Sequence, residues 1–133
     1  MFEKCRNSKK QGDAGMGHAI ATFTMMGYMV SIPLTDSQDY DLIVEVDGKL
    51  YKVQVRTTRF KSPSGSYTAN LKMTGGNSKV NYIHKKGNEL VYDYLYILAD
   101  NGDSWFIPKS AIKNLVSGIT LGIKYDEYKI KPL

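Results

Sequence analysis

Asp41-Leu42-Ile43-Val44-Glu45-Val46-Asp47-Gly48-Lys49-Leu50-Tyr51-Lys52-Val53-Gln54-Val55-Arg56 is the stretch on which the fold turns. Asp-Gly is a strong two-residue hairpin signal, because a type I′ turn needs positive φ at both central positions and these residues tolerate it. Strand-like runs flank the turn, Leu42 to Val46 before it and Leu50 to Thr57 after it, so the spacing predicts an antiparallel hairpin. Counting outward from the turn, Glu45-Val46 and Lys49-Leu50 close the ladder, and Asp41 falls opposite Gln54. Side chains paired this way lie about 5 Å apart at Cβ, close enough to share one ion. Alternation sends Val53 and Val55 to one face and Lys52, Gln54 and Arg56 to the other.

Upstream of the hairpin, Asp13 is a plausible N-cap, and Met16, Ala19, Ile20, Phe23 and Met26 recur at helical spacing until Gly27. Tyr28 to Ile32 reads as a strand ended by Pro33. Downstream, Ser62-Pro63-Ser64-Gly65 marks a turn within a polar loop, and Tyr67 to Met73 reads as another strand. Thr74 to Asn88, rich in Gly, Asn, Ser and Lys, reads as a long loop with room for one short helical turn. Tyr92 to Ala99 is a dense apolar strand, turned by Asn101-Gly102 into Ser104 to Ile107. Ser110 to Val116 reads as a short helix. A helix, a mixed or antiparallel set of about five strands and a second helix together make an α/β or α+β sandwich.

With 133 residues, 42% of them hydrophobic and 23% charged, the chain suits one soluble domain with a single core, residues 1–133. No apolar run approaches the roughly 18 residues of a membrane span. Residues 1–10 read as a basic, flexible leader without the apolar segment of a secretory signal. The single Cys5 favours a reducing, intracellular setting. The formal charge of +5 suits a polyanionic partner, and the cations gather near the start, after the hairpin and in the polar middle segment.

A carboxylate, a second oxygen donor one strand away and a cation two residues further on are parts that metal-assisted phosphodiester chemistry needs. On a half-buried sheet such a row more commonly just faces solvent. The runs Lys10-Gln11-Gly12-Asp13-Ala14-Gly15, Met26-Gly27-Tyr28, Tyr40-Asp41-Leu42-Ile43 and Val53-Gln54-Val55-Arg56-Thr57-Thr58 point beyond that. With Asp93-Tyr94-Leu95-Tyr96-Ile97 and Trp105-Phe106-Ile107-Pro108, they resemble small nucleases of the PD-(D/E)XK type. The likeness is strongest to homing endonucleases of bacterial group I introns, in which the second acidic position is a Gln.

The resemblance implies a restriction-endonuclease-like core, an α/β mixed sheet of about five strands flanked by helices. It implies hydrolysis of double-stranded DNA with Mg²⁺, for which Mn²⁺ can substitute, held by Asp41, the Gln54 side-chain oxygen and the Val55 carbonyl. Asp41, Gln54 and Arg56 form the implied catalytic set. Two residues depart from the pattern. Arg56 stands where a Lys is usual, and it can clamp a phosphate but not act as a base. Met16 stands where a helix Glu is usual, and its thioether is no ligand for a hard cation. Asp13, one turn earlier, is a possible substitute, and a catalytically impaired DNA-binding descendant is the alternative function. Arg59, Lys61, Asn70, Lys72, Lys79, Lys85 and Lys86 are the expected DNA-facing residues, with phosphate contacts dominating affinity. His18 and His84 read as surface residues, and Tyr92, Tyr94 and Tyr96 as packing or an interaction surface. Cutting both strands implies a homodimer or homotetramer.

Overall fold

A computed structural model describes residues 1–76 and 81–132, with only the backbone described at 73–76 and 81–85. Helix α1 spans Ser8–Met25 and strand β1 Met29–Ser31. The hairpin follows as β2, Leu42–Val46, and β3, Lys49–Thr58. Next come β4, Phe60–Lys61, β5, Tyr67–Asn70, β6, Met73–Gly76, and β7, Asn81–Lys85. Strands β8, Tyr94–Ala99, β9, Ser104–Pro108, and β10, Gly118–Thr120, complete the chain with three short 3-10 turns.

Five strands form one mixed sheet in the order β1-β2-β3-β8-β9. The hairpin register is the expected one, Val46↔Lys49 through Leu42↔Val53, which carries Asp41 opposite Gln54. Asp47 at φ 52 and Gly48 at φ 81 make the left-handed turn that the Asp-Gly pair predicts. Strands β3 and β8 are parallel, so the chain between them must cross over, and on the way it supplies β4 to β7 to two smaller sheets, one of which β10 completes from the C-terminal segment. One is β10-β5-β4 and the other the β6–β7 ribbon.

Alternation on β2 and β3 separates two cores. Leu42, Val44 and Val53 pack with Phe23, Ala19 and Tyr96 beneath α1. The other face of β8 and β9 carries Leu95, Ile97 and Ile107, packed with Ala69, Leu71, Ile112 and Ile119 from the crossover and the C-terminal segment. Gly15 lets α1 sit close on β3, since a Cβ there would come within 2.3 Å of Thr57 Cγ2.

Several expectations are corrected. The helix begins at Ser8, capped by the Asn7 side chain on Lys10 N–H, and not at Asp13. Within residues 1–10, Ser8 to Lys10 already belong to the helix, and Phe2 anchors the start of the chain to the fold. Phe2 is fully buried, a burial worth about 1.5–3 kcal/mol, and its N–H donates to Asp100 Oδ1 at 2.8 Å. The Thr74 to Asn88 loop contains the β6–β7 ribbon, and the Tyr67 strand joins the second sheet, not the main one. The expected helix from Ser110 to Val116 is only a 3-10 turn at Lys109–Ala111. Its continuation is drawn away by Gly87 N–H donating to Val116 O and Leu71 N–H to Ser117 O. Among the described residues α1 is thus the one α-helix, and no helix is long and apolar enough to cross a membrane.

Candidate active site

Strand β2 stops at Leu42 while β3 runs on, and that mismatch creates the site. Asp41 N–H donates to Val53 O at 2.8 Å, the last rung between the strands. One step further, Asp41 Oδ2 accepts the Val55 N–H at 2.8 Å, so a carboxylate replaces the missing strand. Main-chain groups of alternate strand residues face the same side. Val53 and Val55 therefore face β2, and the Val55 carbonyl looks into the same gap as the Asp41 carboxylate. Lys52 and Thr58 face the other way, as their carbonyls accept from Asp93 N and Asp100 N.

The Gln54 and Arg56 side chains lie on the face away from α1, but they are not the solvent-facing row that a half-buried sheet would give. Gln54 is 6% exposed, and its Oε1 has no hydrogen-bond partner among the described residues. Arg56 is half-buried, its Nε equally unpartnered, with Nη2 3.4 Å from the Lys72 carbonyl. Burial raises the Asp41 carboxyl above its ordinary range, against the Val55 N–H and the Arg56 charge, which lower it. Burial likewise lowers Arg56, while Asp41 and then Tyr92 raise it. Asp41, Val55 and Arg56 are thus brought together, with Gln54 beside them.

Asp41 opens on two clefts. One, of about 300 Å³, is lined by Lys9, Gly12, Asp13, Met16, Asp41 and Val55 beneath α1. The other, of about 190 Å³, is lined by Ile32, Pro33, Thr35, Asp36, Gln38 and Tyr40, with Met16 and Asp41 shared. Met16 thus packs partly on the α1 core and also borders both clefts. Asp13 faces the first cleft. No cluster of three or more His, Cys, Asp or Glu suited to a metal occurs among the described residues. The donors at hand are oxygens of a carboxylate, an amide and a carbonyl, which suit a hard divalent cation, and the orphaned Gln54 Oε1 is the atom such an ion would satisfy.

The expected DNA-facing residues scatter. Arg59, though exposed, is bonded to the N-terminal segment, Nε to Gln11 Oε1 at 2.8 Å and Nη2 to Phe2 O at 3.2 Å. Lys61 lies 5.0 Å from the Tyr67 ring centroid, in a cleft with Asp103 and Asp126 and away from Asp41. Asn70 Oδ1 accepts Lys72 N–H at 2.9 Å in a local turn. Lys72 adjoins Arg56 through its carbonyl, and Lys86 is exposed. Lys79 and the side chains of Lys85 and His84 lie outside the described residues. His18 is not a free surface group. Its Nδ1 is 2.6 Å from Tyr96 Oη, and burial lowers its pKa. Two further residues were not read as belonging to the site: Tyr92, expected to serve packing or an interaction surface, and Asp39. Tyr92 is 6% exposed and electrostatically coupled to Arg56, and buried Asp39 accepts the Val91 N–H at 2.9 Å. Asp39 was within reach, two residues before Asp41 in the same polar entry.

A family model described as PD-(D/E)XK endonuclease matches residues 6–131. The chain belongs to the PD-(D/E)XK endonuclease family. A solved structure of a bacterial homing endonuclease, I-Ssp6803I, is similar over 95% of this chain and 84% of its own, at 28% identity and TM-score 0.70. No curated protein matches the sequence. The restriction-endonuclease-like α/β architecture expected from the resemblance is the one observed. In this PD-(D/E)XK chain the departures at Met16 and Arg56 fall beside Asp41, not at a distance from it.

Proposed function

We propose that this PD-(D/E)XK protein is an endonuclease that hydrolyses phosphodiesters of double-stranded DNA with a divalent cation, Mg²⁺ or Mn²⁺. Asp41, the Gln54 amide oxygen and the Val55 carbonyl would hold the ion. Such an ion activates water and stabilises charge on the scissile phosphate. The chain's own residues do the rest. Val55 N–H fixes one Asp41 oxygen, which orients the other, and burial of Arg56 keeps its guanidinium strong toward an anion. Arg56 cannot serve as a base, so its role is to grip the phosphate. The Lys72 carbonyl and Tyr92 help position it. The observation that carries the reading is a buried amide oxygen without a partner among the described residues, one strand from a carboxylate coupled to a half-buried guanidinium.

The test is cleavage of duplex DNA with Mg²⁺ by the unaltered chain and by Asp41→Ala. Activity that survives the substitution overturns the site. A second reading, a DNA-binding protein with impaired catalysis, is favoured by Met16, which borders the cleft where a helix carboxylate is usual. It expects salt-sensitive DNA binding without turnover, and turnover in Met16→Glu with Arg56→Lys.

A further inference from the structure

The face of the main sheet away from α1 is covered on β8 and β9, but on β1, β2 and the start of β3 it has no cover among the described residues. Residues that point away from α1 on β1, β2 and β3 form two cross-strand rows, Met29–Glu45–Leu50 and Ser31–Ile43–Lys52. None of the six belongs to either core. Met29 is 65% and Leu50 67% exposed, although both sit on regular strands. On the opposite face of the same strands Val30, Val44, Tyr51 and Val53 are covered by α1 and its neighbours. Met29, Ile43 and Leu50 are neighbours across three strands, and apolar groups gathered on an open sheet face, unlike ones scattered singly, point to an interaction surface.

The charges on this face indicate what covers it. Glu45 lies between Met29 and Leu50 and makes no ion pair among the described residues. Lys52 is its diagonal neighbour on β3, with Nζ 5.6 Å from the Tyr40 ring centroid and likewise no carboxylate partner there. Asp93, beside Lys52, accepts the Lys52 main-chain N–H at 2.8 Å, and the opposite charges of Glu45 and Lys52, diagonal across the apolar patch, make the surface complementary to itself. A two-fold axis lying between the faces and bisecting that diagonal sets each Glu45 over the partner's lysine at the Lys52 position, twice over. Nucleic acid would meet Glu45 and three apolar groups there, which is poor chemistry for phosphates.

We propose that this face is where a second copy of the chain docks, sheet on sheet, with Glu45 and Lys52 pairing reciprocally across the axis. The inference rests on the reading that both DNA strands are cut, which calls for two sites in one assembly. The sheet face continues along β3 from Leu50 and Lys52 to Gln54, so docking here fixes how the two sites are spaced.

Analytical ultracentrifugation of the full chain tests it. The unaltered protein should be a dimer or larger even assembly. Glu45→Lys and Lys52→Glu should each raise the dimer Kd at least about tenfold, since each sets like charges opposite one another. The double reversal, Glu45→Lys with Lys52→Glu, should restore assembly, which a mere folding defect would not allow. Leu50→Lys should also give monomers, whereas Ile123→Lys, at an exposed apolar residue off this face, should not. An unaltered chain that stays monomeric, or an assembly indifferent to the single reversals, overturns the proposal. Cleavage is scored separately: an assembly that follows the charge pattern but cuts no DNA contradicts the nuclease reading and leaves the docking surface standing.

Discussion

Asp41 is destabilising in the metal-free protein, because burial disfavours its charge and only the Val55 N–H and Arg56 offset that. The folded chain therefore holds this proton more tightly than the unfolded chain does. The stability tied to the group is fully present below the ordinary carboxylate value of 3.8 and is lost as pH rises through it toward the raised one. Asp41→Asn keeps an oxygen for the Val55 N–H but removes the charge. At neutral pH without divalent ions its Tm should therefore exceed that of the unaltered protein. Cleavage should meanwhile fall at least about a hundredfold, beyond what loss of an outer-shell contact costs. A lower Tm in calorimetry would show that the carboxylate is structural. Gln54 permits a similar separation. Its Oε1 has no partner to lose among the described residues, so Gln54→Met, of similar length, should change the unfolding free energy in urea by no more than about 1 kcal/mol. The rise in Tm that Mn²⁺ gives the unaltered protein should nevertheless disappear. If Mn²⁺ stabilises the Met variant equally, Gln54 is not a ligand.

Among the elements, α1 and β3 must approach closely for Asp13 and Met16 to reach the cleft beside Asp41. Gly15 is the contact point. An added methyl would meet Thr57 Cγ2, a β-branched side chain whose Oγ1 is also held by Gln11 Nε2 at 2.9 Å, so it cannot easily give way. Gly15→Ala should destabilise the protein by about 1–3 kcal/mol in urea titrations, despite the better helix propensity of alanine. A stabilised variant would mean that the helix is free to shift. The same elements show what a sequence can reveal. The hairpin and its register were legible because Asp47-Gly48 specifies the turn locally and alternation does the rest. The start of α1 was not, since Asn7 gains its meaning as a cap only when Phe2 anchors the chain ahead of it. The β6–β7 ribbon lacks an apolar alternation to read, and the helix expected after Ser110 loses to hydrogen bonds made with Gly87 and Leu71, far away in sequence. At the site, Asp41 and Gln54 followed from register, while Tyr92 beside Arg56 depends on the crossover that folds back over β3. The bond that occupies Arg59 depends on where the first two residues pack.

For the whole molecule, the net charge of +5 matters through which cations are free to meet phosphates and which are occupied within the fold. Arg59 is of the second kind, bonded to Gln11 and to the Phe2 carbonyl and lying 5.8 Å from the Phe2 ring centroid. Lys72 is of the first kind. Its carbonyl touches Arg56, but its ammonium makes no ion pair among the described residues. Each phosphate neutralised on a duplex contributes about −0.9 to the slope of log K against log salt. Lys72→Ala should therefore weaken duplex binding across unrelated sequences and make that slope shallower by about one. Arg59→Ala should leave the slope unchanged and lower the Tm instead, because it releases the N-terminal segment that buries Phe2. Fluorescence anisotropy over a KCl series, beside thermal melts of both variants, separates the two roles. Should Arg59→Ala flatten the slope while Lys72→Ala does not, the nucleic acid would have to run past the N-terminal end of α1, not past the mouth of the Asp41 gap.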